Sequence, residues 1–303
     1  MSRRVYEKTV IVARNSQKKS MLSLYTSFWY TVFYIYGITC NSFYRIKLTN
    51  YNVFTVADFV GFDNYIDLFF NDDIFLKSVL NTITIAVATG PIGYMLSFLL
   101  AWMINNINPK IQFIMVFLIY APSISGNLVT IWALIFSDDA NGYLNSILTY
   151  FGVVDGNIYW LTDKKYMMTV VIIVSLWMSM GAGFLSFVAG IKGVDRSQLE
   201  AGAIDGIRNR WQELWYIILP SMKPQLLFGA VMAINSAFAC GAISTAMCGM
   251  PSTDYAVHTV VNHLSDYGNT RFEMGYASAI ATVLFISMVL CKKLVQKFLS
   301  KVG

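Results

Sequence analysis

The chain has 303 residues, of which 56% are hydrophobic and only 13% charged, and its mean hydropathy is positive at +0.54. Soluble domains carry about 25% charged residues, so this composition excludes an ordinary soluble fold and points to a bilayer resident. The formal net charge of +5 is sorted between alternate loops, as topology signals are, without aromatic interleaving or a binding motif, which excludes nucleic acid as a partner.

Residues 1–20 are polar and basic and are expected to form a tail. The apolar run that follows from Met21 is too long for a signal peptide and is closed by no small-x-small cleavage site, so it is predicted as a retained first helix. Six stretches reach the roughly 20 residues that a helix needs to cross a hydrocarbon core. They lie near 21–44, 78–104, 111–136, 167–191, 225–249 and 274–291, and none contains an internal Asp, Glu, Lys or Arg. Barrel-type alternation is absent, and lipid requires backbone groups to be satisfied within each segment. The predicted fold class is all-α integral membrane.

Basic residues flanking spans stay cytoplasmic. Of the 22 Lys and Arg, sixteen fall in the two termini and in the loops after the second and fourth spans, and six in the alternate loops, which also hold twelve of the 17 acidic residues. Both termini are therefore expected to be cytoplasmic, with a C-terminal tail at 292–303. Helix breakers mark the second span at Gly90 and Pro91, the third at Pro122 and Gly126, and the fourth at Gly181 and Gly183. They serve either close helix packing or hinging around a translocation path. Cys40, Cys240, Cys248 and Cys291 lack ligand spacing and are expected to pack as small apolar residues. His258 and His263, five apart in the last external loop, are expected to face solvent. No metal site is predicted.

Between the fourth and fifth spans runs Glu200 to Pro224, EAGAIDGIRNRWQELWYIILPSMKP. Leu199, Ala203 and Ile204 with Glu200 and Asp205 predict a short amphipathic helix that Gly206 can stop. Trp211, Leu214, Trp215 and Ile218 recur at helical spacing, predicting a second helix ended by Pro220. On periodicity alone this hairpin suits equally a groove on a partner subunit and an interfacial helix lying on the membrane, with Arg208 and Arg210 beside the tryptophans.

The pattern resembles the EAA motif of bacterial ABC importer permeases: Glu-Ala-Ala, two residues, Asp-Gly, then a spacer ending in Ile-x-Leu-Pro. Glu200, Ala201, Gly202, Asp205, Gly206, Ile217, Leu219 and Pro220 occupy those positions. Gly202 replaces the second alanine, and the spacer from Gly206 to Ile217 is one residue longer than the family form. Phe62, Asp63, Asn64 and Tyr65 before Leu68 and Phe69, Asn81-Thr82, and the Tyr120, Ala121, Pro122, Ser123 run are similar to carbohydrate-importer permeases of the maltose and multiple-sugar group.

The resemblance implies a type I ABC importer permease in the bacterial cell membrane, with a six-helix domain over 21–291 and an ATPase-coupling loop at 200–224. It implies as partners a second related permease, two ABC ATPase subunits, an extracellular substrate-binding protein and a carbohydrate substrate. Glu200 would be the charged anchor and Gly206 the turn.

The chain has no Walker A sequence and no Gly-Lys dipeptide, so ATP is expected on another chain and no cofactor on this one. The spans carry none of the ionisable residues typical of proton- or ion-coupled carriers, which weakens, without removing, the alternative of a secondary carrier or channel with a membrane-lying hairpin. A bilayer-embedded enzyme would need a His, Asp or Glu constellation within the spans, and there is none.

Groups able to meet sugar hydroxyls and faces are Tyr120, Ser123 and Asn127 in the third span, Ser175, Trp177 and Ser179 in the fourth, and Asn235 and Ser236 in the fifth. Each also suits an ordinary interhelical hydrogen bond. Resemblance to the maltose permease adds Met178 and Ala182 to the fourth-span positions.

Overall fold

The computed structural model describes residues 46–54, 57–125, 128–140, 142–154 and 156–299. The expected first span, the N-terminal tail, Cys40, Gly126 and Asn127 lie outside them. The described residues are mostly helical and form no strands; an isolated β-bridge pairs Thr49 with Phe59. Helix α1 (Asp63–Ile66) runs through a π-turn, Asp67–Asn71, to α2 (Asp73–Ile104). Next come α3 (Pro109–Ile124), α4 (Leu128–Ile135), α5 (Tyr143–Tyr150), α6 (Lys164–Met178), α7 (Ala182–Lys192) and α8 (Arg196–Ile204). The chain ends with α9 (Arg210–Glu213), α10 (Lys223–Phe238), α11 (Gly241–Cys248), α12 (Val260–Ser265) and α13 (Met274–Leu299).

Among the described residues, three helical stretches are long and apolar enough to cross a membrane: Asp73–Ile104, Lys223–Cys248 and Met274–Lys297. The pair α6 and α7, bent by 41°, makes a fourth if taken as one span. The 32 residues of α2 rise about 48 Å, more than a hydrocarbon core of about 30 Å. Its start is fixed by Asp72, whose Oδ1 accepts from the Phe75 N–H at 2.8 Å. Hydroxyls inside it are satisfied by carbonyls one turn back, as from Thr82 to Ser78 and from Thr89 to Ile85. That is how a helix carries threonine in an apolar setting. Pro91 stays within continuous helix, so the second-span breakers do not break it.

The third and fourth expected spans are each divided. The third is interrupted after Ile124 and resumes at Leu128; the fourth bends at Ser179–Gly181. The last helix passes the expected boundary at 291 and continues to Leu299.

The bundle centre is the three-way packing of α2, α7 and α10. Apolar burial alone does not drive helices together in lipid, so close approach and shape matter most. Gly183 faces Gly229 so closely that a Cβ on Gly183 would lie 3.5 Å from the Gly229 Cα. Into the notch beside Gly229 fits the Phe187 ring, edge-on to Tyr94 at 5.3 Å and to Phe98 at 5.6 Å. Outward, Leu80, Ile83, Val87 and Met95 form an exposed apolar stripe along α2. Cys240 and Cys248 pack in apolar clusters, as expected.

Candidate functional site

At one end of the bundle, α8 and α9 form the arms of a hairpin. The Asp195 carboxylate accepts from the Ser197 N–H at 3.0 Å and starts α8. Arg196 pairs with Glu200 at 3.3 Å, both exposed. The helix ends in a Schellman motif: the Ile207 N–H donates to the Gly202 carbonyl at 3.0 Å and the Gly206 N–H to the Ala203 carbonyl at 3.4 Å. Gly206 has φ +95°, and a Cβ there would meet nothing within 4 Å. The glycine is thus required by its backbone conformation, not by space.

The second arm is capped by Asn209, which accepts from the Gln212 N–H at 2.9 Å, while Gln212 Oε1 accepts from the Arg208 N–H at 3.0 Å. The arm then passes through a π-turn, Leu214–Ile218, in which the Leu219 N–H reaches back five residues to the Leu214 carbonyl. A π-turn holds one residue more than an α-turn, and it begins within the spacer that is one residue longer than the family form. Pro220 does not end the helix, which continues to Ser221 before the chain turns at Met222. The widened turn just before Pro220 gives room for a ring that lacks an N–H and crowds the preceding carbonyls.

The hairpin faces two ways. Inward, Leu214, Ile218 and Met222 are buried with Ala101, Ile104, Phe184, Phe187 and Ile191, which fixes the second arm to α2 and α7. Outward, Ile204, Trp211, Trp215 and Tyr216 are exposed. So are Glu200, Ala201, Ala203 and Asp205. Between the arms is an open groove of about 520 Å³, lined by Gln198, Ala201, Gly202, Asp205, Ile217 and Pro220 among others. Ser221 Oγ donates to Gln198 Oε1 at 3.0 Å and ties the arms together. Gly202 is buried against Ile217, whose Cδ1 would lie 2.4 Å from an added Cβ. The eight expected coupling residues therefore form one structural unit.

The expected path residues are only partly gathered. Ser179, Ala182 and Ser236 line one small cavity of about 70 Å³ at the bend between α6 and α7. Ser175 lies one turn earlier, buried, and its Oγ makes no hydrogen bond among the described residues. Ser123 lies against the same bend, since a Cβ on Gly181 would come 3.1 Å from the Ser123 Cβ. Its hydroxyl donates to the Tyr120 carbonyl at 2.8 Å. Trp177 is instead edge-on to Trp132 at 5.3 Å, and Asn235 is exposed on α10. Neither they nor Tyr120 line the cavity. Sequence reasoning missed Gly93, Tyr94 and Ser97, which bring α2 into its wall. Gly93 is what lets α2 close on the bend, because a Cβ there would come 2.6 Å from Ser179 Oγ.

At the opposite end of the bundle the two histidines are buried, not solvent-facing. His263 on α12 holds Asp72 Oδ2 at 3.0 Å, and the Tyr276 hydroxyl donates to the same oxygen at 2.9 Å. The chain between α11 and α12 is drawn down by Asn81, whose Nδ2 donates to the Tyr255 and His258 carbonyls at 2.9 and 3.0 Å. Thr82 Oγ1 accepts from the Val260 N–H at 3.0 Å. This tertiary closure buries side chains whose local sequence carries no apolar signal.

Burial pushes the His258 imidazole down to about 4, reinforced by neighbouring His263. Burial also lowers His263, against the pull of Asp72. Burial opposes ionisation of Asp72, yet the Phe75 N–H, His263 and the Tyr276 hydroxyl together hold its carboxyl below the usual value. An ionised Asp72 is acceptor only, so neutral His263 carries its proton on Nε2.

Since both imidazoles sit below the free value of about 6.5, the unfolded chain takes up protons first as pH falls. This corner's contribution to stability is full above about pH 6.5 and is lost towards about 4. The thermal midpoint is expected to fall between about pH 7 and about pH 5, and His258→Phe to flatten that slope. An unchanged slope in the variant would remove His258 from this role.

The family described as binding-protein-dependent transport system inner membrane component matches residues 74–301. A probable ABC transporter permease protein, YesP of Bacillus subtilis (strain 168), is 32% identical over 247 residues, covering 80% of this chain and 77% of the relative. The arabinooligosaccharides transport system permease protein AraP of the same organism is 29% identical over 232 residues, covering 76% and 72%. Among solved structures, a bacterial alginate ABC transporter in complex with alginate pentasaccharide-bound periplasmic protein aligns with TM-score 0.73 and 22% identity, covering 93% of both chains. That likeness identifies the fold.

Proposed function

This chain belongs to the binding-protein-dependent transport system inner membrane component family of ABC transporter permeases, and we propose that within it the chain is the permease of an importer of neutral oligosaccharides. With a second related permease it forms an alternating-access path. An extracellular binding protein delivers the sugar, and of the two ATPase subunits of the complex one docks on this chain's hairpin. The chain crosses the membrane six times with both termini in the cytoplasm, and the hairpin lies on the cytoplasmic side.

The observation that carries the reading is the hairpin itself. Its inner face is fixed to the bundle core through Leu214, Ile218 and Met222, while its outer ridge offers Glu200, Ala201, Ile204 and Asp205 to a partner. A lone helix lying on the membrane has no use for a second arm held to the first by Ser221 and Gln198. Support for a sugar comes from the name of AraP and from the uncharged lining of the cavity at the α6–α7 bend. Ser179 and Ser236 meet the hydroxyl-rich substrate there. The buried Ser175 hydroxyl, one turn earlier and without a partner among the described residues, gains most when a ligand hydroxyl completes it.

The test is ATP hydrolysis by the complex co-purified with this chain, stimulated by its sugar-loaded binding protein. Glu200→Lys reverses an exposed charge and leaves the bundle untouched. It is expected to reduce the stimulated rate about tenfold or more, equivalent to ~1.4 kcal/mol of lost docking. Full stimulation in the variant would contradict the docking assignment.

A further inference from the structure

Beyond the buried cluster, a second connection joins the hairpin to the bundle. The Trp211 ring, on α9, lies against Trp102 at the end of α2, with ring centroids 4.9 Å apart and planes tilted by 49°. Next to it, Asn106, just past the end of α2, accepts from Arg210 Nε at 3.3 Å and from Nη2 with its amide oxygen turned to the guanidinium. Both contacts lie N-terminal to the π-turn Leu214–Ile218, whereas Ile218 and Met222, buried in the cluster, lie at its end or beyond.

An α-helix turns about 100° per residue. A single extra residue within Leu214–Ile218 therefore rotates everything N-terminal to it by about that angle relative to the anchored C-terminal part. In a continuous α-helix, seating Ile218 in the core would bring Trp211, seven residues earlier, onto the same inward face; the π-turn instead turns Trp211 and Arg210 by about 100° off that face, against Trp102 and Asn106. The π-turn satisfies both sets of contacts at once.

We infer that Trp211 and Arg210 are positioning residues forming a second joint, set in register by the π-turn, through which the hairpin moves the end of α2 in step with the buried cluster that already holds α2 and α7. This inference rests on the transport reading above and adds the route taken by the motion. Of the two residues Trp211 matters more, because aromatic contact is direction-dependent and adds to the area it covers. The exposed Arg210 contact holds the orientation.

The experiment compares Trp102→Ala, Trp211→Ala, the double variant, Trp211→Phe and deletion of Trp215 in the complex co-purified by a tag on this chain. It reads two quantities: the amount of ATPase subunit retained, and the ratio of hydrolysis with sugar-loaded binding protein to basal hydrolysis. Each alanine variant is expected to retain the ATPase subunit while that ratio falls about fivefold or more. The double variant is expected to be no worse than either single one, Trp211→Phe to restore the ratio, and deletion of Trp215 to match Trp211→Ala.

A wild-type ratio in both alanine variants overturns the joint. Loss of the ATPase subunit overturns it too, since Trp211 would then be a docking contact. A wild-type complex that retains no ATPase at all overturns the transport reading on which the joint rests.

Discussion

Gly206→Val is expected to leave the protein in the membrane but to abolish most of the proposed coupling between ATP hydrolysis and the transport path. Gly206 holds φ +95° with nothing within 4 Å of the site of a Cβ, so the substitution meets no clash with neighbours. What it meets is a backbone conformation that L-residues avoid and β-branched ones avoid most. Such strain costs about 1–3 kcal/mol. The hairpin relieves it by giving up the paired bonds from Ile207 to Gly202 and from Gly206 to Ala203 that close α8. Glu200, Ala201 and Asp205 then lose their fixed relation to the second arm. Binding-protein-stimulated hydrolysis is expected to fall by about five- to a hundredfold, at 1.4 kcal/mol per factor of ten. Gly206→Asn, which tolerates positive φ better, is expected to lose less. Equal activity in the valine variant and the wild type would mean that the hairpin's shape does not matter to coupling.

Gly229→Ala is expected to be strongly damaging at the centre of the bundle. A Cβ at Gly229 would lie 2.3 Å from Phe187 Cζ and 2.5 Å from Cε1. Phe187 cannot retreat easily, because its ring is enclosed edge-on by Tyr94 and Phe98 and is almost fully buried. Overpacking of this kind costs about 1–3 kcal/mol, and here it separates α7 from α10 where Gly183 meets Gly229. The thermal midpoint of the detergent-solubilised protein is expected to drop by several degrees. Phe187→Leu combined with Gly229→Ala is expected to recover part of the loss by emptying the space the methyl needs. If the double variant were less stable than the sum of the two singles, the collision would not be the cause.

How much of this was legible beforehand varies with the kind of signal. The second and sixth spans, α2 and α13, follow directly from uninterrupted apolar stretches. The divisions in the third and fourth spans do not, because residues on both sides of a break stay apolar and hydropathy is blind to backbone direction. Gly181 marked the place, but Gly90 and Pro91 carried an equal signal and left α2 continuous.

In the hairpin, Gly206 was readable because positive φ has a sequence signature. The π-turn was not, since Trp211, Leu214, Trp215 and Ile218 also fit an ordinary α-helical period. Only the one-residue excess in the spacer hinted at it. The buried histidines were misread because their burial depends on Asp72, Asn81 and Tyr276, far away in the chain. The cavity wall from Gly93, Tyr94 and Ser97 was missed for a similar reason: small and polar residues in an apolar span show which face they occupy only once a neighbour is packed against them.

Under the proposed function this chain is a conduit whose energy enters from a partner ATPase through the hairpin. That claim is tested most directly by oligosaccharide uptake into proteoliposomes holding the co-purified complex, with ATP inside and the binding protein outside. The account predicts uptake that requires both and is unaffected when ionophores collapse proton and sodium gradients. Uptake driven by an ion gradient in the absence of ATP would contradict it.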